Sequence, residues 1–318
     1  MPALYHVPVP FLSTSVQVRA PATCANLGPG FDCLGLALRL HDEVMAKITP
    51  AGVQVTVRGE GAGELPLDGT HLVVRAMYAA FDELGAGRPP GLAVDCHNRI
   101  PQARGLGSSS AAIVSGVLLA RALVAGGEER LDDLGVLRVA TQLEGHPDNA
   151  AACLFGGFTI AWATAAGPRA VSRAPAAAVA PTVFVSQGRG LTAAARQALP
   201  PAVPHADAVW TAARAALLVH ALAEEPELLF EATGDRLHQP YRAAAAPETA
   251  ALVERLRAAG VAAVVSGAGP SVLALTEVPS GLAVGASWRV LSVAVDPAGA
   301  SGILRHAERD PVAAGWAS

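Results

Sequence analysis

Residues 101–112 read PQARGLGSSSAA, the most distinctive pattern in this chain of 318 residues. Gly105 and Gly107 lack a Cβ atom, so the backbone can approach a ligand closely at both positions. Three serines then open an apolar segment that predicts a buried helix over residues 111–125. The first N–H groups of a helix have no partner within it, and the helix dipole adds positive potential. The stretch therefore predicts an anion-binding site, with a simple N-cap before a core helix as the alternative.

Lys47 is the single lysine of the sequence, and the other basic charges are carried by arginine. A Walker A phosphate loop ends in Gly-Lys-Ser or Gly-Lys-Thr, so that type of nucleotide site is excluded. A Gly-x-Gly-x-x-Gly pattern after a strand is also missing, which disfavours a dinucleotide dehydrogenase. Any anion bound at residues 101–112 must therefore be held by main-chain amides, hydroxyl groups and arginine.

The overall composition excludes several other classes of protein. Hydrophobic residues make up 52% and charged residues 16% of the chain, so a large core can be buried and global disorder is excluded. The net charge of -4 and the 4% aromatic content predict no nucleic acid partner. The four cysteines form no Cys-x-x-Cys pair, so no zinc ribbon is predicted. The longest apolar stretch, residues 111–125, is interrupted by Arg121, and the first eleven residues lack a basic start. No membrane segment or signal peptide is predicted, and we expect a cytoplasmic protein.

Strand and helix patterns mix along the chain without a regular alternation, which predicts an α+β fold with two lobes. The predicted strands cover residues 15–19, 53–58, 91–98, 158–163, 182–185, 261–266 and 272–276, and the predicted helices cover residues 71–84, 111–125, 131–143, 207–223 and 248–259. Small residues and prolines dominate residues 164–181, and we expect the junction between the lobes there.

Two further segments contain residues suited to ligand chemistry. Residues 19–38 read RAPATCANLGPGFDCLGLAL, in which a turn presents Asn26 and Asp32 between two strands. Such residues often satisfy only local backbone groups, but Asp32 also suits an ammonium partner. The second segment, EGHPDNAA, begins at Glu144, and an acidic residue beside a phosphate commonly holds Mg²⁺. His146 has no second histidine at ligand spacing, which favours a hydrogen-bonded structural role.

Taken together, these segments resemble the GHMP kinases, the superfamily of galactose, homoserine, mevalonate and phosphomevalonate kinases. Residues 101–112 are similar to the phosphate loop of that family, and residues 266–271, SGAGPS, are similar to its third signature. The resemblance implies a βαβ-type ATP-binding lobe over residues 15–165 and a ferredoxin-like lobe over residues 175–305. It also implies ATP and Mg²⁺ as cofactors and a homodimer. The residues implied to line the triphosphate are Pro101, Gln102, Ala103, Arg104, Gly105, Leu106, Gly107, Ser108, Ser109, Ser110 and Ala111.

Residues 19–38 most resemble the members of this family that phosphorylate the hydroxyl group of L-homoserine. The resemblance then implies that Asn26 and Asp32 contact the amino acid and that Ser109 and Glu144 hold the metal. Asn149 would position the hydroxyl group, with Asp148 as a weaker catalytic candidate, and no catalytic base is assigned.

The remaining substrate residues implied by the resemblance are two arginines of the second lobe, Arg196 in TAAARQALP and Arg242 in HQPYR. Arginine binds carboxylates with two parallel hydrogen bonds, so both are candidates for the substrate α-carboxylate.

Two other functions remain open from the sequence. Another small-molecule kinase of the family, of the mevalonate type, would share the phosphate loop but not an arginine pair suited to an α-carboxylate. A catalytically silent ligand sensor on the same scaffold is disfavoured by Glu144 and the complete serine run.

Overall fold

The computed structural model describes residues 9–190 and 192–305. Its strands are β1 (Ser15–Ala25), β2 (Leu34–Thr49), β3 (Gly52–Gly59), β4 (Gly91–Asn98), β5 (Phe158–Thr164), β6 (Gly167–Arg173), β7 (Thr182–Ser186), β8 (Ala263–Val265), β9 (Val272–Ala274), β10 (Trp288–Ser292) and β11 (Ser301–Arg305).

Its α-helices are α1 (Leu72–Glu83), α2 (Ser108–Leu123), α3 (Gly127–Arg130), α4 (Asp133–Glu144), α5 (Asp148–Phe155), α6 (Thr192–Gln197), α7 (His205–Ala223), α8 (Leu229–Ala232), α9 (Gln239–Arg242) and α10 (Pro247–Ala258). Within this described part of the chain, none of the helices has the length and apolar character needed to cross a bilayer.

The first lobe is built on a seven-stranded sheet of the described strands. Five of them lie in the order β11-β1-β2-β4-β3. β5 pairs with the first residues of β2, from Leu34 to Leu36, and on its other side with β6. β3 and β4 are parallel and are joined through α1, which makes the predicted βαβ unit. The register between β1 and β2 shifts after Pro21, a residue that has no N–H group to donate to a ladder.

Helix α2 lies at the centre of this lobe. It packs against α1, α4 and β1, and apolar side chains such as Ile113, Val117 and Leu119 are buried along it. A helix that is apolar around most of its circumference has to be buried on most sides. This burial fixes the position of the serine-rich N-terminus of α2, which lies at the lobe surface.

The second lobe contains the antiparallel sheet β10-β7-β9-β8. Numbered along the chain, this order is 4-1-3-2, which is the order of a ferredoxin-like sheet. The predicted α+β fold with a ferredoxin-like second lobe is thus confirmed. After β10 the chain returns to the first lobe, where Val295 bridges Leu38 and β11 pairs with β1. The domain spans of residues 15–165 and 175–305 stay a prediction.

Several described elements are missing from the sequence predictions, and β6 and α5 are two of them. Residues 167–173, inside the predicted junction, form β6, which pairs with all of β5 in a hairpin. Small residues weaken a strand pattern, but the ladder offered by β5 supplies the hydrogen bonds that this segment needs. The second element is α5, which was not predicted and which begins at Asp148 directly after Pro147.

Candidate active site

A cavity of about 240 Å³ lies at the N-terminus of α2, between the two lobes. Its polar lining comes from segments that are far apart in sequence: Asn26, Asp32, Ser108, Ser109, Glu144, His146, Asp148, Asn149, Arg196 and Arg242. A larger groove, of about 1070 Å³, lies between residues 174–182 and residues 277–297. That groove is lined mostly by small and apolar residues, and Glu277 is the one charged residue in its lining among the residues that the structure describes. Convergent polar groups are the mark of a catalytic cavity, so we place the candidate active site in the smaller one.

The loop before α2 requires its two glycines. Gly105 and Gly107 have φ of +73° and +68°, in the left-handed region that favours glycine. A Cβ atom on Gly105 would lie 2.3 Å from the carbonyl oxygen of Ser266, and one on Gly107 would lie 1.9 Å from Oγ1 of Thr23. Gly107 is also the N-cap of α2 and has no side chain to cap the first turn. The two glycines therefore let the loop pack closely, and the N–H groups at the start of α2 are left without a side-chain cap and can bind an anion.

The residues of the predicted triphosphate loop occupy different surroundings. Gln102, Ala103 and residues 105–109 line this cavity or the adjoining one described below. Arg104 instead donates to the main-chain carbonyl groups of Gln102, Ser186 and Gln187, which ties the loop to the second lobe. Ser110 is fully buried, and its hydroxyl group has no hydrogen-bond partner among the described residues. Pro101, Arg104, Ser110 and Ala111 line neither cavity.

Ser109 and Glu144 are in contact at the N-terminus of α2. The Ser109 hydroxyl group donates to Oε1 of Glu144 over 2.8 Å, although 35 residues separate them. No group of three or more acidic, histidine or cysteine side chains suited to a metal occurs among the described residues. Mg²⁺ is usually held by one or two protein oxygen ligands together with phosphate and water. The hydroxyl and carboxylate pair fits that donor set.

Asp32 and Arg196 form an ion pair in the cavity wall. Nη1 and Nη2 of Arg196 donate to the two carboxylate oxygens of Asp32 over 2.9 and 2.8 Å. The hydrogen bond to Asp32 raises the pKa of Arg196. Sequence analysis assigned both residues to the ligand, one to an ammonium group and one to a carboxylate, and the structure pairs them with each other.

Arg242 lies deeper in the same wall and is 6% exposed. Its Nε donates to the carbonyl oxygen of Ala195 over 3.1 Å, and its Nη1 lies 3.1 Å from Nδ1 of His238. Burial, and then the neighbouring charge of Arg196, lower the pKa of Arg242. A buried guanidinium beside a second cation favours an anionic ligand, which would relieve the repulsion between them.

Asn26 holds the turn that presents Asp32. Its φ is +70°, its Nδ2 donates to the carbonyl oxygen of Gly267 over 2.8 Å, and its Oδ1 accepts from the N–H group of Asp32 over 3.0 Å. Both ends of the amide are thus bonded to protein. The loop of residues 267–269, part of the segment that is similar to the third signature, lines the same cavity.

The start of α5 supplies three adjoining polar side chains. Nδ1 of His146 lies 2.8 Å from Oδ1 of Asp148, which is 2% exposed and also accepts from the N–H group of Asn149. The hydrogen bond to Asp148 raises the pKa of His146, with further contributions from Glu144 and Asp32. His146 is therefore hydrogen-bonded, as predicted, but it also lines the cavity, which sequence analysis missed.

Asn149 is oriented by Thr23, a residue that sequence analysis did not select. The hydroxyl group of Thr23 donates to Oδ1 of Asn149 over 2.7 Å, and its N–H group donates to the carbonyl oxygen of Leu106. Because Oδ1 accepts this bond, the donor end of the amide is left for the cavity. Thr23 thus connects the phosphate loop to the start of α5.

A second cavity, of about 280 Å³, adjoins the first and shares Ala103, Ser108 and Ser109 with it. Asp42 lines it, and Oδ1 of Asp42 accepts from the N–H groups of Arg99 and Ile100, over 2.6 and 2.9 Å. Burial raises the pKa of Asp42 from 3.8 to about 6. The carboxylate thereby anchors the chain directly before the phosphate loop, and no sequence motif pointed to it.

Comparison with known families and proteins gives a consistent result. Residues 71–157 match the family described as the N-terminal domain of GHMP kinases, and residues 213–283 match the family of their C-terminal domain. The chain is 53% identical to a homoserine kinase of Streptomyces avermitilis over 92% of this chain and 96% of that protein. It is 52% identical to a homoserine kinase of Streptomyces coelicolor, over 92% of this chain and 95% of the other. The crystal structure of homoserine kinase from Cytophaga hutchinsonii is 26% identical, with a TM-score of 0.78 that covers 94% of this chain and 100% of that one.

Proposed function

The chain belongs to the GHMP kinase family, and within it to the homoserine kinases, and from this premise we propose how its cavity transfers the γ-phosphoryl group of ATP to the hydroxyl group of L-homoserine. The observation that carries the proposal is the Asp32–Arg196 ion pair, which lies in the same cavity as the N-terminus of α2. The cavity therefore offers a carboxylate, guanidinium groups and free helix amides to one ligand set.

A zwitterionic amino acid matches the ion pair. Its ammonium group would bind Asp32, and its carboxylate would bind Arg196 and Arg242. The ion pair between Asp32 and Arg196 would thus be replaced by two ion pairs with the substrate. His146 lines the same cavity, and its hydrogen bond to Asp148 raises its pKa and so favours the cationic form. Asn26 would act by holding Asp32 in place, because its own amide is bonded to Gly267 and to the Asp32 main chain.

The two adjoining cavities suggest how ATP lies. The triphosphate would cross the shared wall of Ser108 and Ser109, with its charge stabilised by the amides at the start of α2. The nucleoside would occupy the cavity lined by Asp42, His71 and Gln102. No lysine takes part in this arrangement.

Ser109 and Glu144 would hold Mg²⁺. When bound, the ion would neutralise phosphate charge during the transfer. Asn149 would orient the hydroxyl group of the substrate through its Nδ2 donor, since Thr23 holds its Oδ1. Asp148 would support this arrangement by holding His146, and its Oδ1 already accepts two hydrogen bonds. Phosphoryl transfer depends mainly on positioning and charge stabilisation, so no base is assigned.

A coupled assay of ADP release tests the proposal with a panel of alcohols. We expect turnover with L-homoserine and none with mevalonate, galactose or shikimate. Two truncated substrates sharpen the test: 4-hydroxybutyrate lacks the ammonium group, and 3-aminopropan-1-ol lacks the carboxylate. Each should react at least about a hundredfold less efficiently, because 4-hydroxybutyrate offers no partner to Asp32 and 3-aminopropan-1-ol offers none to Arg196 and Arg242. Phosphorylation of mevalonate but not of L-homoserine would overturn the substrate assignment, and ligand binding without turnover would favour a sensor.

The homodimer and the cytoplasmic location implied by the sequence stay predictions. Light scattering coupled to size-exclusion chromatography would measure the first, because a dimer would have about twice the 32.2 kDa mass of the chain.

A further inference from the structure

A fully buried histidine lies behind the substrate cavity, between the turn of Asp32 and Arg242. The Nε2 atom of His238 is 2.8 Å from the carbonyl oxygen of Gly28, and its Nδ1 atom is 3.1 Å from Nη1 of Arg242. A carbonyl oxygen can only accept and a guanidinium can only donate. The two contacts together require a neutral ring with its proton on Nε2.

The surroundings of the ring agree with that state. Burial is the main cause that lowers the pKa of His238. The charge of Asp235 raises this pKa, and the charge of Arg242 lowers it. Nearby Asp235 accepts from the main-chain N–H groups of residues 237–239, so its carboxylate holds the backbone of this segment. Its Oδ2 atom is 3.4 Å from Nε2 of His238, farther than the carbonyl oxygen of Gly28.

The same ring also supports the other side of the amino-acid subsite. Phe31 stacks on His238 with ring centroids 4.9 Å apart and an angle of 27° between the planes. The guanidinium carbons of Arg196 and Arg242 lie 5.5 and 5.2 Å from the centroid of Phe31. Phe31 directly precedes Asp32, so the imidazole contacts the segment that presents the carboxylate and also the arginine opposite.

We propose that His238 is a positioning residue that sets the distance between the anionic and cationic ends of the amino-acid subsite. Through Nε2 it holds the turn of residues 26–32, and through Nδ1 it holds Nη1 of Arg242. Nε of Arg242 donates to Ala195 and Nη1 contacts His238, so Nη2 is the nitrogen left to bind a carboxylate. Among the side chains and main-chain groups that the structure describes, none is hydrogen-bonded to Nη2. This inference rests on the proposed function, because it assigns His238 to the recognition of that substrate.

Two substitutions separate the two contacts of the ring. In H238N the side-chain oxygen can take the place of Nδ1 and accept from Arg242, whereas in H238Q the amide nitrogen can take the place of Nε2 and donate to Gly28. We expect H238Q to raise KM for L-homoserine about tenfold or more. H238N should also raise KM for L-homoserine, because the turn that presents Asp32 loses its contact with the ring. KM for ATP and kcat should change less than about threefold in both. H220Q, a substitution of a half-exposed histidine on α7, is the matched control and should change neither KM.

A double-mutant cycle tests whether His238 acts through Arg242. If it does, H238Q with R242A should have nearly the same KM for L-homoserine as R242A alone, because the arginine to be positioned has gone. Multiplicative effects of the two changes, or an unchanged KM in H238Q, would overturn the proposal. Loss of ATP binding in both His238 variants, measured by the shift of melting temperature on adding ATP, would show a purely structural role and overturn it as well. A wild-type protein that does not phosphorylate L-homoserine would instead refute the proposed function.

Discussion

Replacing Arg196 by alanine should separate substrate binding from stability. The side chains of Arg196 and Asp32 are 43% and 33% exposed, so their ion pair should contribute no more than about 1 kcal/mol to the free energy of unfolding. A charge-assisted hydrogen bond to a carboxylate ligand contributes about 1.5–3 kcal/mol, or roughly 10- to 150-fold in affinity. Arg242 remains in R196A and can still bind the carboxylate, so we expect KM for L-homoserine to rise by the lower end of this range, at least about tenfold.

The assay is ADP release at saturating ATP, with a thermal melt of each variant. KM for ATP should stay within about twofold of wild type, because the nucleotide side of the cavity is untouched. R138A is the matched control, since Arg138 forms an ion pair with Glu83 at 40% exposure on α4, outside both cavities. R196K should give an intermediate KM, because lysine keeps the charge but not the planar fork. An unchanged KM in R196A, or an equal rise in R138A, would refute the reasoning.

Three further predictions concern the phosphate loop and its anchors. G107A places a Cβ atom 1.9 Å from Oγ1 of Thr23 at a φ of +68°, so we expect kcat to fall about a hundredfold and the protein to lose about 1–2 kcal/mol of stability; normal kcat would contradict this. E144Q removes the negative charge of the carboxylate that accepts from the Ser109 hydroxyl group. The Mg²⁺ concentration for half-maximal activity should rise about tenfold or more, and so should the Mn²⁺ dissociation constant of the ATP-loaded protein. An unchanged Mn²⁺ dissociation constant would remove Glu144 from the metal site. D42N tests the buried carboxyl group, whose pKa is raised from 3.8 to about 6 in the folded protein. Such a group stabilises the fold when protonated and loses that contribution as pH rises from about 4 through 6, so the melting temperature of D42N relative to wild type should increase across that range. A constant difference in melting temperature between D42N and wild type from pH 4 to 8 would show that the carboxyl group does not titrate in that range.

Elements with strong local patterns were predicted well. β4 has the predicted bounds, and α2 begins three residues before the predicted helix, at Ser108. The earlier start has a physical reason: Ser108, Ser109 and Ser110 are acceptable in the first turn, after the left-handed Gly107. β6 was missed because its stability comes from pairing with β5 rather than from its own residues.

The candidate site was predictable in part. Motif residues such as Asp32, Ser109 and Glu144 do line one cavity, and their roles stay predictions. Thr23 and Asp42 were not selected, since each acts through a contact with a segment more than 50 residues away. Long-range contacts of this kind follow from the packing of the lobes and leave no periodic pattern in the sequence.

The direct test of the account is a crystal structure with a non-hydrolysable ATP analogue, Mg²⁺ and L-homoserine. We predict phosphate oxygens on the main-chain amides of residues 108–110, the amino group of L-homoserine at Asp32, and its carboxylate at Arg196 and Arg242. A nucleotide bound away from the start of α2, for example in the groove of residues 174–182, would contradict it.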